Sequence, residues 1–191
     1  MKGCAARIGS LLNYADIARD CDISLNTAKS WISVLEFSYI IKLLYPYYRN
    51  FNKRVIKSPK LYFYRSGEDL VSHPMRGHLF ESFVLSECFK YFFHRGVISP
   101  PLYFWRDVQG HEIDLLLECS FDFVIPVEIK SRVTLSEDFF KGLREWIAMD
   151  PSQKSLGFSV IYAGKEDQST TLGNLFSWKN IADFLDTLRL V

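Results

Sequence analysis

Two neighbouring runs of alternating side chains constrain the fold of this chain more than any other feature. The first run spans residues 110–118 and the second spans residues 123–130. Strand side chains alternate between two faces, so each run predicts a β-strand with one fully apolar face. On the other face the first strand carries Asp114, and the second carries Glu128 and Lys130. If the strands pair as an antiparallel hairpin, these three polar groups can share one face of the sheet.

Composition indicates a folded domain and excludes several classes of protein. Of the 191 residues, 48% are apolar and 16% are aromatic, which argues against disorder. The formal net charge is +1, so only local clusters of charge could indicate a nucleic-acid partner. The four cysteines form no CxxC pair, which argues against a zinc knuckle or a disulfide framework and favours reduced thiols in a cytoplasmic protein. The sequence has no 18-residue apolar run and no P-loop motif, so we expect neither a membrane span nor an ATP site in this chain.

The first 72 residues predict a winged helix-turn-helix segment. Residues 1–45 are helical in pattern, and Ser24 is the predicted N-cap of the second helix of the pair. Strand-like runs follow at Tyr39–Tyr48 and Leu61–Tyr64, and the polar loop Arg49–Lys60 between them corresponds to a wing. The helix after Ser24 shows an apolar stripe of Leu25, Ala28, Ile32 and Leu35, and the four tryptophans, Trp31 among them, are expected in the core.

The predicted wing is strongly basic and rich in aromatic residues, and no acidic residue occurs between Glu36 and Glu68. Such a loop is typical of a surface that binds phosphates. A solvated basic hairpin that docks on an acidic neighbour remains an alternative. A protein-interaction role is a further alternative, because the expected exposed face of the preceding helix has only one basic residue, Lys29. The candidate nucleic-acid contacts are Arg49, Lys53, Arg54, Lys57 and Lys60.

Residues 73–191 predict an α/β domain with a mixed sheet and helices on both faces. A helix of about residues 77–93 precedes a strand at Leu102–Arg106 and the two strands described above. A second helix, about Glu137–Met149, leads to a strand at 156–163, and Ser177 is positioned to cap a last helix.

An Asp on one strand and a Glu-x-Lys on the next can assemble a Mg²⁺ site, since Mg²⁺ prefers oxygen ligands. Asp114, Glu128 and the carbonyl of Ile129 are the predicted ligands, and Glu81 on the preceding helix could complete the acidic cluster. Lys130 could orient an attacking water or stabilise charge on a phosphate. From the residues alone an equally good alternative is a half-exposed hairpin with an ordinary Glu128–Lys130 surface pair.

Four blocks of sequence, in order, carry a resemblance to a known family. The blocks are residues 76–84, 102–107, 110–118 and 126–131, and the segments Tyr14–Leu43 and Lys60–Tyr64 support it. The chain resembles the uncharacterised domain that follows an AAA-type ATPase module in many bacterial and archaeal proteins. Here the ATPase module is absent, and Arg65 stands after Tyr64 where many relatives carry an acidic residue.

The resemblance implies a function and a set of site residues. The second half is similar to the PD-(D/E)xK nuclease superfamily, with Asp114, Glu128 and Lys130 on its core motif and Glu81 on the accessory helix. The implied activity is Mg²⁺-dependent hydrolysis of DNA phosphodiesters, with DNA bound through the winged-helix segment and an ATPase module as a partner. The alternative is a non-catalytic module that binds nucleic acid or protein, because a fold does not determine a function.

Overall fold

The first part of the chain folds into three helices and a two-stranded antiparallel sheet. The computed structural model describes residues 2–48, 56–64, 74–120, 123–149, 154–155 and 157–188. The predicted cap is confirmed, since Ser24 Oγ accepts a hydrogen bond from the amide of Thr27 at 3.1 Å. The elements are α1 (Lys2–Ala5), α2 (Tyr14–Asp20), α3 (Leu25–Phe37), β1 (Ile41–Leu44) and β2 (Lys60–Phe63).

Helix α3 buries a narrower stripe than its sequence predicts. Ala28 and Ile32 are buried in the apolar core formed by the helices and the small sheet of this part of the chain, which we call the first core. Trp31, expected in the core, is instead 53% exposed. The helical repeat turns Trp31 away from the line through Ala28 and Ile32, and it places Val34 and Phe37 farther round the helix, in solvent.

The second part contains the predicted mixed sheet, with seven strands in the part of the chain that the structure describes. β3, β4 and β5 form an antiparallel meander, β7 pairs parallel to β5, and β9 pairs parallel to β7. Two-residue strands add to β5 and β9. The strands are β3 (Leu102–Arg106), β4 (Glu112–Ser120), β5 (Phe123–Lys130), β6 (Lys154–Ser155), β7 (Ser159–Tyr162), β8 (Gln168–Ser169) and β9 (Asn174–Ser177).

Helices cover both faces of this sheet, as predicted. On one face lie α4 (Arg76–His94) and α6 (Ile181–Thr187), which share an apolar core with the sheet. On the other face lies α5 (Lys141–Met149), continuous with a 3₁₀ turn at Glu137–Phe140. Among the described helices, none combines the length and the apolar composition needed to cross a membrane.

The small sheet packs directly on α4, so the two parts share a core. Leu44 and Tyr62 belong to the same apolar cluster as α4. Ser82 Oγ accepts from the Phe63 amide and donates to the Phe63 carbonyl, both at 3.0 Å, which satisfies the backbone of β2. The predicted boundary between residues 72 and 73 lies outside the described residues.

Candidate functional site

Asp114 lies where strands β4 and β5 separate. The last paired residues of the two strands are Leu115 and Val127. Beyond that pair the amide of Ile129 donates a hydrogen bond to Asp114 Oδ2 at 2.9 Å instead of to a backbone carbonyl. The carboxylate therefore takes the place of a ladder partner, at the point where the sheet opens.

An irregularity in the pairing of β3 with β4 lies beside this opening. Ile113 pairs with Trp105 and Leu116 pairs with Tyr103, so three residue steps on β4 oppose two on β3. Ile113 and Leu116 both pack in the core under α5, although strict alternation would put them on opposite faces. A bulge of this kind re-aims side chains next to it, here Asp114.

Glu128 faces α5 and not the α4 side of the sheet. It is 4% exposed, and a Cβ added at Gly142 of α5 would lie 2.5 Å from its Oε1 atom. The expected antiparallel hairpin is present, but its strands separate at Asp114, so Asp114, Glu128 and Lys130 are not arranged on a regular paired face. The three groups still meet: the carboxyl groups of Asp114 and Glu128 are close neighbours, and Lys130 Nζ contacts Glu128 and lies 4.0 Å from Asp114 Oδ2.

The electrostatics of this trio fit a divalent cation. Burial, with the neighbouring Asp114, raises the pKa of Glu128 to about 8. Burial and the charge of Glu81 also raise the pKa of Asp114. Burial works to lower the pKa of Lys130, but Asp114 and Glu128 outweigh it and the pKa is raised. Two desolvated carboxylates thus have one ammonium between them, and a cation with oxygen ligands would offset the remaining charge.

A second acidic cluster adjoins the trio, and Asp114 belongs to both. Glu81, Glu112 and Asp114 each offer a carboxylate oxygen within 4.8 Å of the others. Glu112 was not among the predicted site residues. Its position two residues before Asp114 was the available signal.

Lys60 lies in this second cluster and not on an exposed loop. Its Nζ atom lies 3.1 Å from Glu81 Oε1 and contacts Glu112 Oε1, and the residue is 2% exposed. The prediction that Lys60 grips a nucleic acid from the loop is therefore wrong. Strand alternation explains the difference: Leu61 and Phe63 pack on the first core, so Lys60 and Tyr62 point the opposite way, towards α4.

The remaining predicted contacts of the basic loop have different outcomes. Lys57 is exposed, and its carbonyl accepts a hydrogen bond from the Tyr48 hydroxyl at 3.1 Å. Arg49, Lys53 and Arg54 lie outside the described residues.

The Glu81–Lys60 pair is ionised despite its burial. Burial alone would raise the pKa of Glu81, but Lys60 and hydrogen bonds from His78 and Tyr62 outweigh it and lower the pKa. Burial alone would likewise lower the pKa of Lys60. The negative charges of Glu81, Asp114 and Glu112 outweigh burial, so the pKa of the ammonium is raised. Tyr62 donates its hydroxyl to Glu81 Oε1 at 2.5 Å. Each charge therefore has the partners that a buried ion requires.

An open cleft of about 530 Å³ leads from solvent to both clusters. Glu81, Asp114 and Lys130 reach its wall, while Glu128 lies behind them. Basic side chains stand among the acids, an arrangement that can hold a phosphate beside a carboxylate-bound cation. The lining residues are Pro74, Met75, Gly77, His78, Glu81, Asp114, Ile129, Lys130, Ser131, Arg132, Asp138 and Phe139.

Two relatives at 32% identity over 124 residues are uncharacterised proteins of Mycobacterium bovis and Mycobacterium tuberculosis. In each case the match covers 59% of this chain and 27% of the relative, so the chain spans about a quarter of the length of these proteins. No solved structure matches the chain.

Two families match successive parts of the sequence. Residues 1–67 match a family described as a domain of unknown function (DUF8612). Residues 76–181, more than half of the chain, match another described as a domain of unknown function (DUF4143), which commonly occurs in proteins associated with AAA-type ATPases. The matched segment includes the Asp114–Glu128–Lys130 trio, Glu81 and Glu112, and every lining residue of the cleft except Pro74 and Met75. The chain therefore belongs to the DUF4143 family.

Proposed function

We propose that this chain is a nuclease-like module that hydrolyses phosphodiester bonds of DNA in a Mg²⁺-dependent reaction. Residues 73–191 would form a PD-(D/E)xK-type domain, and residues 1–72 a winged helix-turn-helix segment that contacts DNA through Arg49, Lys53, Arg54 and Lys57. The chain would work together with an AAA-type ATPase module. The observation that carries the proposal is the meeting of Asp114, Glu128 and Lys130 at the inner wall of an open cleft.

In this proposal Asp114, Glu128 and the carbonyl of Ile129 would hold the ion. Bound there, Mg²⁺ supplies Lewis acidity and lowers the pKa of a coordinated water. The Asp114 carboxylate is aimed by the Ile129 amide, and Glu128 is aimed by Lys130. Both acceptors are therefore fixed before a ligand arrives, which removes an ordering cost.

Lys130 would act on the phosphate. Its side chain is 31% exposed at the cleft, and its ammonium is held in the charged form by Asp114 and Glu128. A fixed cation at this position can stabilise negative charge that develops on phosphoryl oxygens. His78 and Arg132, which also line the cleft, would help to hold the backbone of the nucleic acid.

The test is cleavage of plasmid and single-stranded DNA in Mg²⁺ or Mn²⁺. We expect Asp114→Asn and Lys130→Ala each to lower the rate by at least about 100-fold, since each removes one group that stabilises the reacting charge. Lys165→Ala is the matched control, because this exposed lysine lies away from the cleft. No metal-dependent cleavage by the native chain, or equal rates in the variants, would refute the activity.

A second candidate function is a protein-interaction module, and the outer side of α3 favours it. Trp31, Val34 and Phe37 are exposed there, with Phe37 88% exposed, whereas a helix that reads DNA presents polar and basic groups. An AAA-type ATPase module is the partner that this candidate implies. In that case the acidic clusters would have a structural role.

A further inference from the structure

We propose that Lys60 is the built-in cation of the Glu81–Glu112–Asp114 cluster and that it limits the site to a single divalent ion, held on the Asp114–Glu128 side. The assignment of that single ion rests on the proposed function. The assignment of Lys60 as resident cation does not, because it depends only on the contacts of its ammonium.

The three carboxylates have the spacing of a cation site. Their nearest oxygens lie within 4.8 Å of one another, so one small cation could touch all three. The Lys60 ammonium already contacts Glu112 and lies 3.1 Å from Glu81. It also lies 5.5 Å from the centre of the Phe104 ring, whose face attracts a cation. The position available to an ion is thus filled by a side chain.

Charge balance separates the two sides of Asp114. On the α4 side Glu81 faces Lys60 and His78, and Glu112 faces Lys60 and Arg106, whose guanidinium donates to it at 2.9 Å. On the α5 side the described contacts of Asp114 and Glu128 include a single cation, Lys130. The first side is therefore already balanced by Lys60 and Arg106, whereas the second side, when ionised, carries one net negative charge that would attract a divalent ion.

The backbone keeps Lys60 in place. Strand β2 is bonded on one edge to β1, while the N-terminal segment bridges to it at Ile8 and Leu11. Ser82 of α4 holds the Phe63 amide and carbonyl. Withdrawal of the ammonium would leave the buried Glu81 carboxylate without its main cation and would leave the half-buried Glu112 with Arg106 alone, which is costly.

The experiment counts bound ions on the full chain. Mn²⁺ titration by calorimetry, with the spin–spin coupling of close Mn²⁺ pairs as a second readout, is applied to the native chain, to Lys60→Met and to Lys165→Met. Methionine keeps an apolar stem and removes the charge. We expect one ion in the native chain and in Lys165→Met, and two coupled ions in Lys60→Met. Adding Glu112→Gln to Lys60→Met should remove the second ion.

The outcomes separate this inference from the proposed activity. If the native chain binds no ion and cleaves nothing, but Lys60→Met gains one ion, the proposed function fails and the role of Lys60 stands. Two ions in the native chain, or an unchanged count in folded Lys60→Met, would overturn the inference. Should Lys60→Met fail to fold, Glu112→Gln in the native background decides: an unchanged single ion supports the proposal, and a lost ion contradicts it.

Discussion

At the scale of single residues, Glu128 couples the candidate site to pH. Its pKa rises from the ordinary value of 4.5 to about 8, mainly because it is buried and then because Asp114 is close. Between these two values the folded chain binds a proton that the unfolded chain has released. Stability therefore falls as pH rises through this window, the opposite of the usual behaviour of a paired carboxylate. Glu81 has a lowered pKa, so its contribution is lost only as pH falls below about 4.5.

The raised pKa of Glu128 in the folded chain predicts how the stability of Glu128→Gln depends on pH. The amide keeps the shape of the side chain and removes the ionisation. As pH rises from 5 to 9, we therefore expect the free energy of unfolding of the variant to increase by about 1–3 kcal/mol relative to that of the native chain. Urea unfolding across that range, in EDTA so that no metal stabilises the carboxylate, measures the effect. Glu137→Gln, at an exposed position, is the control. Parallel pH profiles for the native chain and Glu128→Gln would contradict the prediction.

Among the elements, α5 approaches β5 closely because it carries a glycine at the contact. A Cβ at Gly142 would lie 2.5 Å from Glu128 Oε1, closer than such atoms pack. The absence of a side chain there lets the helix cover the carboxylate and exclude water from it. The helix thus contributes to the raised pKa of Glu128 without contributing a charged group.

Gly142→Ala should therefore push Glu128 aside and weaken binding of Mn²⁺ by about 10-fold or more, even though alanine favours a helix by about 1 kcal/mol. Gly77→Ala in α4 is the matched control, because a Cβ there meets nothing within 4 Å. It should leave Mn²⁺ affinity unchanged and not lower the melting temperature. Calorimetric titration and thermal unfolding of both variants measure the two effects. Equal Mn²⁺ affinity in Gly142→Ala and the native chain would show that Glu128 is not held by this contact.

Period-two reasoning located Asp114, Glu128 and Lys130 but not their mutual geometry. It assumes a continuous pleat, and a bulge such as the one beside Asp114 leaves no mark in the order of apolar and polar residues. The two-residue strands and β9 are too short to show a period. The prediction for Lys60 failed for a different reason. The sequence pattern grouped Lys60 with the basic loop that precedes it, but Lys60 is the first residue of β2, and it shares one face of that strand with Tyr62.

Across the whole molecule, the first part of the chain completes the site of the second. Lys60 and Tyr62 come from the small sheet, and both bond to Glu81 of α4. Leu44 and Tyr62 extend the core of the large sheet, and the amide of Tyr47 donates to the carbonyl of Phe104 at 2.7 Å. Sequence order suggested two successive modules, because contacts between distant segments leave no local pattern. The contacts between the two parts predict that they unfold as one cooperative unit.

Cooperativity of this kind predicts the effect of a mutation far from the site. Ile32 is buried in the first core, so Ile32→Ala should cost about 2–5 kcal/mol. If the parts unfold together, calorimetry of the variant shows one transition at a lower temperature, and hydrogen exchange speeds up in β4 and β5 as much as in α3. Val34→Ala, at an exposed position on the same helix, should change stability by less than about 0.5 kcal/mol. If the variant instead shows two transitions and only the first is shifted by Ile32→Ala, the small sheet docks on a domain that is stable without it. Lys60 would then be able to leave its cluster without global unfolding.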